Sequence, residues 1–370
     1  VLVRIDRLDL ENFRNMESLS VLPCESVNII YGDNAQGKTN LLEAVWLLSG
    51  AKSFRGAKDA DLVRFGESHT LIESVFFCGG RQQTSKIRIE GKKSAWLNDI
   101  RQDSVTSFAG IFTAVVFSPS HLGLVKDGPA GRRKFLDTSI CQITPRYIGM
   151  ISQYQRILLQ RNTLLKDISY APSLMDTLDI WDEKLSALGG AIIRMRMEYT
   201  RRLQKQAADI YNGISMDRES FALSYRPFGL EEIQEGWTQK EISSLLREKT
   251  GRNRADDLRS GASGIGPHRD DLEITINGRS VRAFGSQGQQ RSSVLALKLA
   301  ESRCIGDILG ERPVILLDDV MSELDQSRRE YLLNHLTGSQ IFITCCDKSY
   351  FSRLEGGRVF RMENGRLEQE

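Results

Sequence analysis

Val27 to Leu48, VNIIYGDNAQGKTNLLEAVWLL, constrains this chain more than any other stretch. The β-branched run Val27 to Tyr31 reads as a buried strand. Gly32-Asp33-Asn34-Ala35-Gln36-Gly37-Lys38-Thr39 satisfies G-x-x-x-x-G-K-[ST], and Leu41, Leu42, Val45, Trp46 and Leu48 follow at helical spacing. Strand, glycine-bounded loop and helix are the context that a P-loop, or Walker A motif, requires. Gly32 and Gly37 permit backbone geometry that a Cβ obstructs, so successive N–H groups can turn onto phosphate oxygens. The helix N-terminus adds partial positive charge. Lys38 is expected at the β- and γ-phosphates and the Thr39 hydroxyl on Mg²⁺. The stretch predicts binding of a nucleoside triphosphate.

A second element completes such a site. Pro313 to Leu317 is an apolar strand ending in Asp318 and Asp319. Asp318 is expected to hold Mg²⁺, directly or through water, and Asp319 to position or deprotonate the attacking water. Paired acids at a strand end also suit a helix N-cap; beside a P-loop the catalytic reading is stronger. Lys38 and Asp318 lie 280 positions apart, far more than a simple nucleotide-binding α/β unit needs, so a lobe is inserted between them.

That lobe shows in the pattern. Residues 70 to 100 alternate as an antiparallel meander, and Ala114 to Phe117 forms another strand. From about 125 to 250 long amphipathic helices take over, at Phe135 to Ile140, Ile148 to Asp167, Leu174 to Gly213 and Glu231 to Arg247. Heptads are not sustained, so no long coiled-coil arm is expected. Strands at Leu272 to Ile276 and Val281 to Ala283 mark the return. At the N-terminus, Val1 to Leu10 reads as an exposed or edge strand closed by a turn at Asn12 to Asn15, and Ser18 to Leu22 as a second strand. The expected organisation is α/β: residues 1–124 as the first part of an ATPase head, 125–255 as a helical lobe, and 256–370 as the rest of the head.

Between lobe and second strand lies Phe284-Gly285-Ser286-Gln287-Gly288-Gln289-Gln290-Arg291, a Ser/Gly loop opening an apolar helix. It offers a second phosphate-binding end. One nucleotide site has no use for two; two chains facing each other use both, each loop capping the ATP on its partner's P-loop. A symmetric dimer with two ATPs in its interface follows.

The 370 residues carry a net charge of +2, with 40% hydrophobic and 26% charged residues, as in ordinary globular domains. No apolar run reaches membrane-spanning length and no signal-peptide pattern is visible, so the chain reads as cytoplasmic. The six cysteines and four histidines show no metal-ligand spacing. Charge is unevenly placed: residues 131–166 hold seven basic residues against one acid, and 194–205 hold five against one. A charged helix face is usually only solvated, yet two such blocks make a polyanion a candidate partner. Lys126, Arg132, Arg133, Lys134, Arg156 and Arg161 are the candidate phosphate contacts. Lys52 and Arg55, after the P-loop helix, either fold back toward the nucleotide or sit in solvent; spacing leaves both readings open.

The three motifs together resemble ABC-type ATPase heads. Ser286 to Gln289 is similar to their signature motif, and Ser322-Glu323-Leu324-Asp325 to their D-loop. Within that class the resemblance narrows to the RecF family, related to the SMC and Rad50 heads. It rests on Asn12-Phe13-Arg14-Asn15, Gly32 to Asn40, Lys52 to Arg55, Gly128-Pro129 through Asp137, Gln160-Arg161-Asn162, Gly266 to Asp271 and Leu317 to Asp325. It implies a mixed sheet around the P-loop, an antiparallel meander and an inserted helical lobe. Arg14, Asn40 and Arg55 join the loop residues as nucleotide contacts, with Ser286, Gly288 and Gln289 contributed across a dimer. It also implies a weak, DNA-stimulated ATPase whose Mg·ATP-bound homodimer holds DNA near single-strand gaps and releases it on slow hydrolysis. Its implied partners are RecO and RecR, with RecA loading and the response to DNA damage as the outcome. Departures are Asp319 where many ABC heads have Glu, Thr344 in place of a histidine, Ser118-Pro119 where a glutamine is expected, and Gln287 in the signature. His268 is read as structural. Two rivals remain: the ATPase subunit of a membrane transporter, and an ATP-binding tether without turnover.

Overall fold

The structure, a computed structural model, describes residues 2–346 and 357–370. Val1, placed in the first strand by the sequence, lies outside them, as do residues 347–356 of the expected C-terminal head segment.

The chain opens with β1 (Arg4–Phe13), β2 (Met16–Val21) and β3 (Val27–Tyr31), the last leading through the P-loop into α1 (Lys38–Leu47). The meander follows as β4 (Thr70–Cys78), β5 (Arg81–Glu90), β6 (Lys92–Leu97) and β7 (Ile100–Gln102), then β8 (Ala114–Phe117). Helices α2 (Gly123–Lys126), α3 (Pro129–Ile143), α4 (Arg146–Asp167) and α5 (Leu178–Ser215) come next. After β9 (Phe221–Arg226) come α6 (Gln239–Arg252), α7 (Arg254–Ser260), β10 (Asp271–Ile276), β11 (Arg279–Ser280) and α8 (Val281–Phe284). The chain ends with α9 (Gln287–Leu309), β12 (Val314–Asp318), α10 (Gln326–His335), β13 (Ile341–Cys345), β14 (Arg358–Glu363) and β15 (Arg366–Gln369).

These elements form two compact units. The first comprises residues 1–122, 209–218 and 291–370. One of its sheets is antiparallel, in the order β2-β1-β4-β5-β6-β7; the other runs β15-β14-β3-β13-β12-β8. In the latter the five strands from β14 to β8 are mutually parallel, and β15 pairs antiparallel at the edge. Helix α1 packs against strands of both sheets, and Leu41, Leu42, Val45, Trp46 and Leu48 are all buried in the shared core. An apolar surface on every side is what a helix between two sheets requires. Each such side chain removed from water contributes about 2 kcal/mol.

Strand β1 lies inside its sheet, between β2 and β4, so it is not the exposed or edge strand expected. The register shifts between Ile5 and Arg7, which moves the buried set from Ile5 to Leu8 and Leu10 and interrupts strict alternation. The charges that made it look exposed pair along the outer face, Arg4 with Asp6 and Arg7 with Asp9.

The second unit comprises residues 123–208 and 219–290, helical with one small sheet in the order β11-β10-β9. The sequence returned the chain to the head at 256; here residues 256–290 belong with the helices, because β10 pairs along its length with β9. Strand β9 was not anticipated, being six residues inside a helical stretch. Val281 to Ala283, expected as a strand, is one helical turn. The Asn277-Gly278 turn, both residues at positive φ, returns only Arg279 and Ser280 to β10. The helix expected from Glu231 begins at Gln239, where Thr238 and Glu241 form a capping box.

Buried arginines hold this unit together. Arg161 is 0% exposed; its Nε donates to Asp182 at 2.6 Å, and its Nη1 to Asp257 and Ser263, each at 2.7 Å. Arg132 chelates Asp271 and donates to the Leu124 and Asp127 carbonyls. Arg196 chelates Asp137. Arg161 and Arg132 are therefore not the DNA contacts expected of them, since both guanidiniums are buried against internal carboxylates, and the one Arg161 nitrogen without a partner among the described residues, Nη2, is buried too. Arg133 is half-buried and donates to the Asp270 carbonyl. Lys126, Lys134 and Arg156 are exposed.

Candidate nucleotide-binding site

The P-loop joins the end of β3 to the start of α1. Ala35, Gly32 and Gly37 take positive φ, at 65°, 151° and 117°. A Cβ on Gly32 would lie 2.3 Å from the Met362 carbonyl oxygen of β14, so only glycine lets these two segments approach. The loop is braced from outside. Asn15 Nδ2 donates to the Gln36 carbonyl at 3.0 Å, Gly365 N–H to the same oxygen at 3.0 Å, and Asn364 N–H to Gln36 Oε1 at 2.6 Å. Asn34 Oδ1 accepts from the Cys346 thiol at 3.1 Å. Lys38 Nζ turns into the loop and donates to the Gly32 and Asp33 carbonyls at 2.6 and 2.7 Å.

Strand β13 separates β3 from β12, and this order carries the acids to the loop. Thr39 Oγ1 donates to Asp318 Oδ1 at 2.7 Å, although the two are 279 residues apart. Thr344, opposite Asp318 in the β12–β13 register, donates to the same oxygen at 3.1 Å and accepts from Asp319 N–H at 3.0 Å. In place of the expected histidine, a buried hydroxyl thus ties both aspartates to the central strand. Burial pushes the Asp318 carboxyl above its ordinary range, opposed by the Thr39 and Thr344 hydroxyls and by the Arg55 charge; Asp319 raises it further. Asp319 takes positive φ, 52°, a conformation that Asp tolerates better than most residues. Ser322 Oγ donates to its carbonyl at 2.9 Å.

Glu43 is the organising residue that sequence reasoning missed. It is 0% exposed in the middle of α1. Arg14 grips it through Nε at 2.9 Å and Nη2 at 3.0 Å, and the Ser53 hydroxyl donates to it. Arg55 approaches it at 3.8 Å and donates to Asn40 Oδ1 at 2.8 Å, while Asn40 donates to Asn15 at 2.8 Å. Arg55 therefore does fold back to the start of α1. Arg14 Nη1 also donates to the Asp61 carbonyl at 2.7 Å, so each of its three nitrogens makes a bond within the protein. A lone carboxylate within the apolar run Leu41 to Leu48 was the available signal, because such a group needs a cation.

Thr39 and Asp318 form a hard-oxygen pair of the kind Mg²⁺ takes when phosphates and water complete its shell. Among the described residues no cluster of three or more His, Cys, Asp or Glu side chains forms a metal cage.

In the second unit, Ser286 and Gln289 form a reciprocal cap at the N-terminus of α9. Gln289 N–H donates to Ser286 Oγ at 3.2 Å, and Ser286 N–H to Gln289 Oε1 at 2.8 Å. Gln289 Nε2 also donates to Glu219 at 2.7 Å. The signature residues thus build a rigid helix start, with Gly288 in its first turn.

The family model of the RecF/RecN/SMC N-terminal domain matches residues 4–367. The chain is 39% identical to the DNA replication and repair protein RecF of Agathobacter rectalis over 368 residues, 98% of both chains. The chain belongs to the RecF family. It is 40% identical to the protein of the same name from Acetivibrio thermocellus, over 98% of this chain and 99% of that one. Among solved structures, the recombination mediator protein RecF-ATPrS in the RecFOR pathway superposes with a TM-score of 0.92 at 36% identity, covering 100% of this chain and 98% of that one. RecF-ATP gives 0.90 at 36%, covering 100% and 99%. The Smc head domain with an extended coiled coil derived from Pyrococcus furiosus gives 0.57 at 15%, covering 100% and 96%, a likeness of fold. The fold is that of an ABC-type ATPase head. Among the described residues no helix is long and apolar enough to cross a membrane.

Proposed function

We propose that this chain is a DNA-binding ATPase of recombinational repair and replication restart, in which Mg·ATP drives homodimerisation on DNA and slow hydrolysis ends it. The observation that carries the reading is the 2.7 Å contact between Thr39 and Asp318, which brings the Walker A hydroxyl and the Walker B acid to one point. The names of the relatives, RecF of the RecFOR pathway, support the repair role and RecO and RecR as partners. RecA loading near single-strand gaps is the outcome proposed for such an assembly.

Lys38 is held within the loop by two carbonyls and would exchange them for the β- and γ-phosphates. Bound Mg²⁺ would neutralise charge on the phosphate oxygens between Thr39 and Asp318. Asp319 orients the attacking water from a backbone position fixed by Thr344. Its side chain is one methylene shorter than Glu, which holds the water less closely and suits slow turnover. Arg55, anchored on Asn40, lies where it lowers the cost of negative charge. Ser286, Gly288 and Gln289 present the α9 N-terminus to the nucleotide of a second copy.

The test is nucleotide binding and phosphate release. Wild type is expected to bind a fluorescent ATP analogue and to release phosphate slowly, faster with DNA; Lys38→Ala is expected to lose binding at least tenfold, about 1.4 kcal/mol or more. Binding without phosphate release, even with DNA present, would instead establish the non-hydrolysing tether.

A further inference from the structure

Helices α4 and α5 of the second unit leave an open groove of about 460 Å³ between them, and the ATPase reading makes no use of it. From α4 it is lined by Gln153, Arg156, Ile157 and Gln160, at positions i, i+3, i+4 and i+7 of one helix face. From α5 come Trp181, Lys184, Ala187 and Leu188. Ile157 is buried and supplies an apolar floor, whereas Arg156, Lys184 and both glutamines are exposed on the rim. Lys184 Nζ lies over the Trp181 ring, 5.5 Å from its centroid. No carboxylate lines the groove.

We infer that this groove binds single-stranded DNA, with a base stacked on Trp181 and the flanking phosphates on Arg156 and Lys184. An indole beside cations and an apolar floor is the equipment of a single-strand platform, because every base has a π-face to stack. The lysine over the ring marks its face as reachable, and its flexible stem lets the ammonium move aside to a phosphate. Gln153 and Gln160 offer amide donors and acceptors to base edges or sugars. A duplex keeps its base faces stacked inside and offers the indole nothing. An acidic peptide would satisfy the two cations but would leave the aromatic ring without its specific partner.

The inference rests on the DNA reading above for its class of ligand, but not on the dimer or on ATP. The full chain, without nucleotide, is titrated into fluorescein-labelled oligothymidylate and followed by anisotropy at several salt concentrations. Trp181→Ala is expected to weaken binding about tenfold, and Trp181→Phe to keep most of it. The double variant Arg156→Glu, Lys184→Glu is expected to lower the slope of log affinity against log salt by about 1 to 2. Unchanged ATP-analogue binding and thermal melting serve as folding controls, and the Phe and charge variants carry the test if the Ala variant is unstable. The inference is overturned if wild type does not bind the oligonucleotide, or if Trp181→Ala binds as wild type does. It also falls if polyglutamate displaces the oligonucleotide as well as unlabelled oligothymidylate does. Failure here leaves ATP-dependent duplex binding standing, and failure of duplex binding leaves the groove standing.

Discussion

Arginine plays two opposite parts in this chain, and burial decides which. Arg161 sits at 0% exposure between Asp182 and Asp257, with Ser263 accepting a further bond from Nη1 and the buried Nη2 left without a partner among the described residues. Removing one member of such a cluster leaves charge stranded in a poor solvent for it. Arg161→Met should therefore cost about 3 to 5 kcal/mol of stability, as read by urea unfolding, while Asp182 keeps only its 2.6 Å bond to Arg254. A variant as stable as wild type would show that the cluster contributes nothing. Read from sequence, Arg161 was one of seven basic residues in a block of 36, with no sign that its carboxylate partners wait 21 and 96 positions downstream. Lys38, Thr39, Asp318 and Asp319 were legible because their chemistry is local: a loop of fixed length and a strand ending in acids. Glu43 was not, and Thr344 was read only as standing where a histidine is expected, since the role of each depends on partners outside its own motif.

At the scale of elements, a similar division holds. Helix α1 and strands β3, β8, β12 and β13 are near-continuous apolar runs, and that pattern survives in sequence because nearly every side chain is buried. Strand β9 is six residues whose place is fixed by pairing with β10, some 45 residues later. The loop before β10 carries its own titration. His268 Nε2–H donates to the Ser263 carbonyl at 2.9 Å, so Nδ1 accepts from the Tyr154 hydroxyl at 2.8 Å, the arrangement of a neutral ring. Burial, more than any charge, lowers its pKa to about 4. A folded pKa below the unfolded one means that stability is lost as pH falls from 6.5 toward 4. Neighbouring Asp270, raised by burial to about 6, works oppositely, gaining stability as pH falls from 6 toward 3.8. The two offset each other in wild type. His268→Gln removes one slope, so between pH 7 and pH 5 its stability should rise relative to wild type by about 2 kcal/mol in urea titrations. An equal gap at both pH values would mean that the ring is not held neutral.

For the whole molecule, the question is what the capped N-terminus of α9 accomplishes in a chain that already carries a P-loop at the start of α1. The reciprocal cap between Ser286 and Gln289 uses the serine hydroxyl internally, so what the α9 N-terminus offers a second copy is chiefly its ordered N–H groups and the space above them. Ser286→Arg places a bulky cation in that space. The variant should bind ATP like wild type but remain monomeric in sedimentation velocity with Mg·ATP; dimerisation by this variant would sink the shared-site model. The exposed cations Lys126 and Lys134 remain the proposed duplex contacts once Arg132 and Arg161 are buried inside, with Arg156 assigned to the single-strand groove. Such contacts bind without sequence preference and weaken steeply with salt. The most direct test of ATP-driven DNA holding is sedimentation of fluorescent duplex DNA with this chain, with and without Mg·ATP. Nucleotide should shift the DNA to the mass of a complex with two chains, and the shift should fade as salt rises. DNA that sediments alone in both conditions would contradict the proposal and return the basic surface of the helical unit to a solvated face.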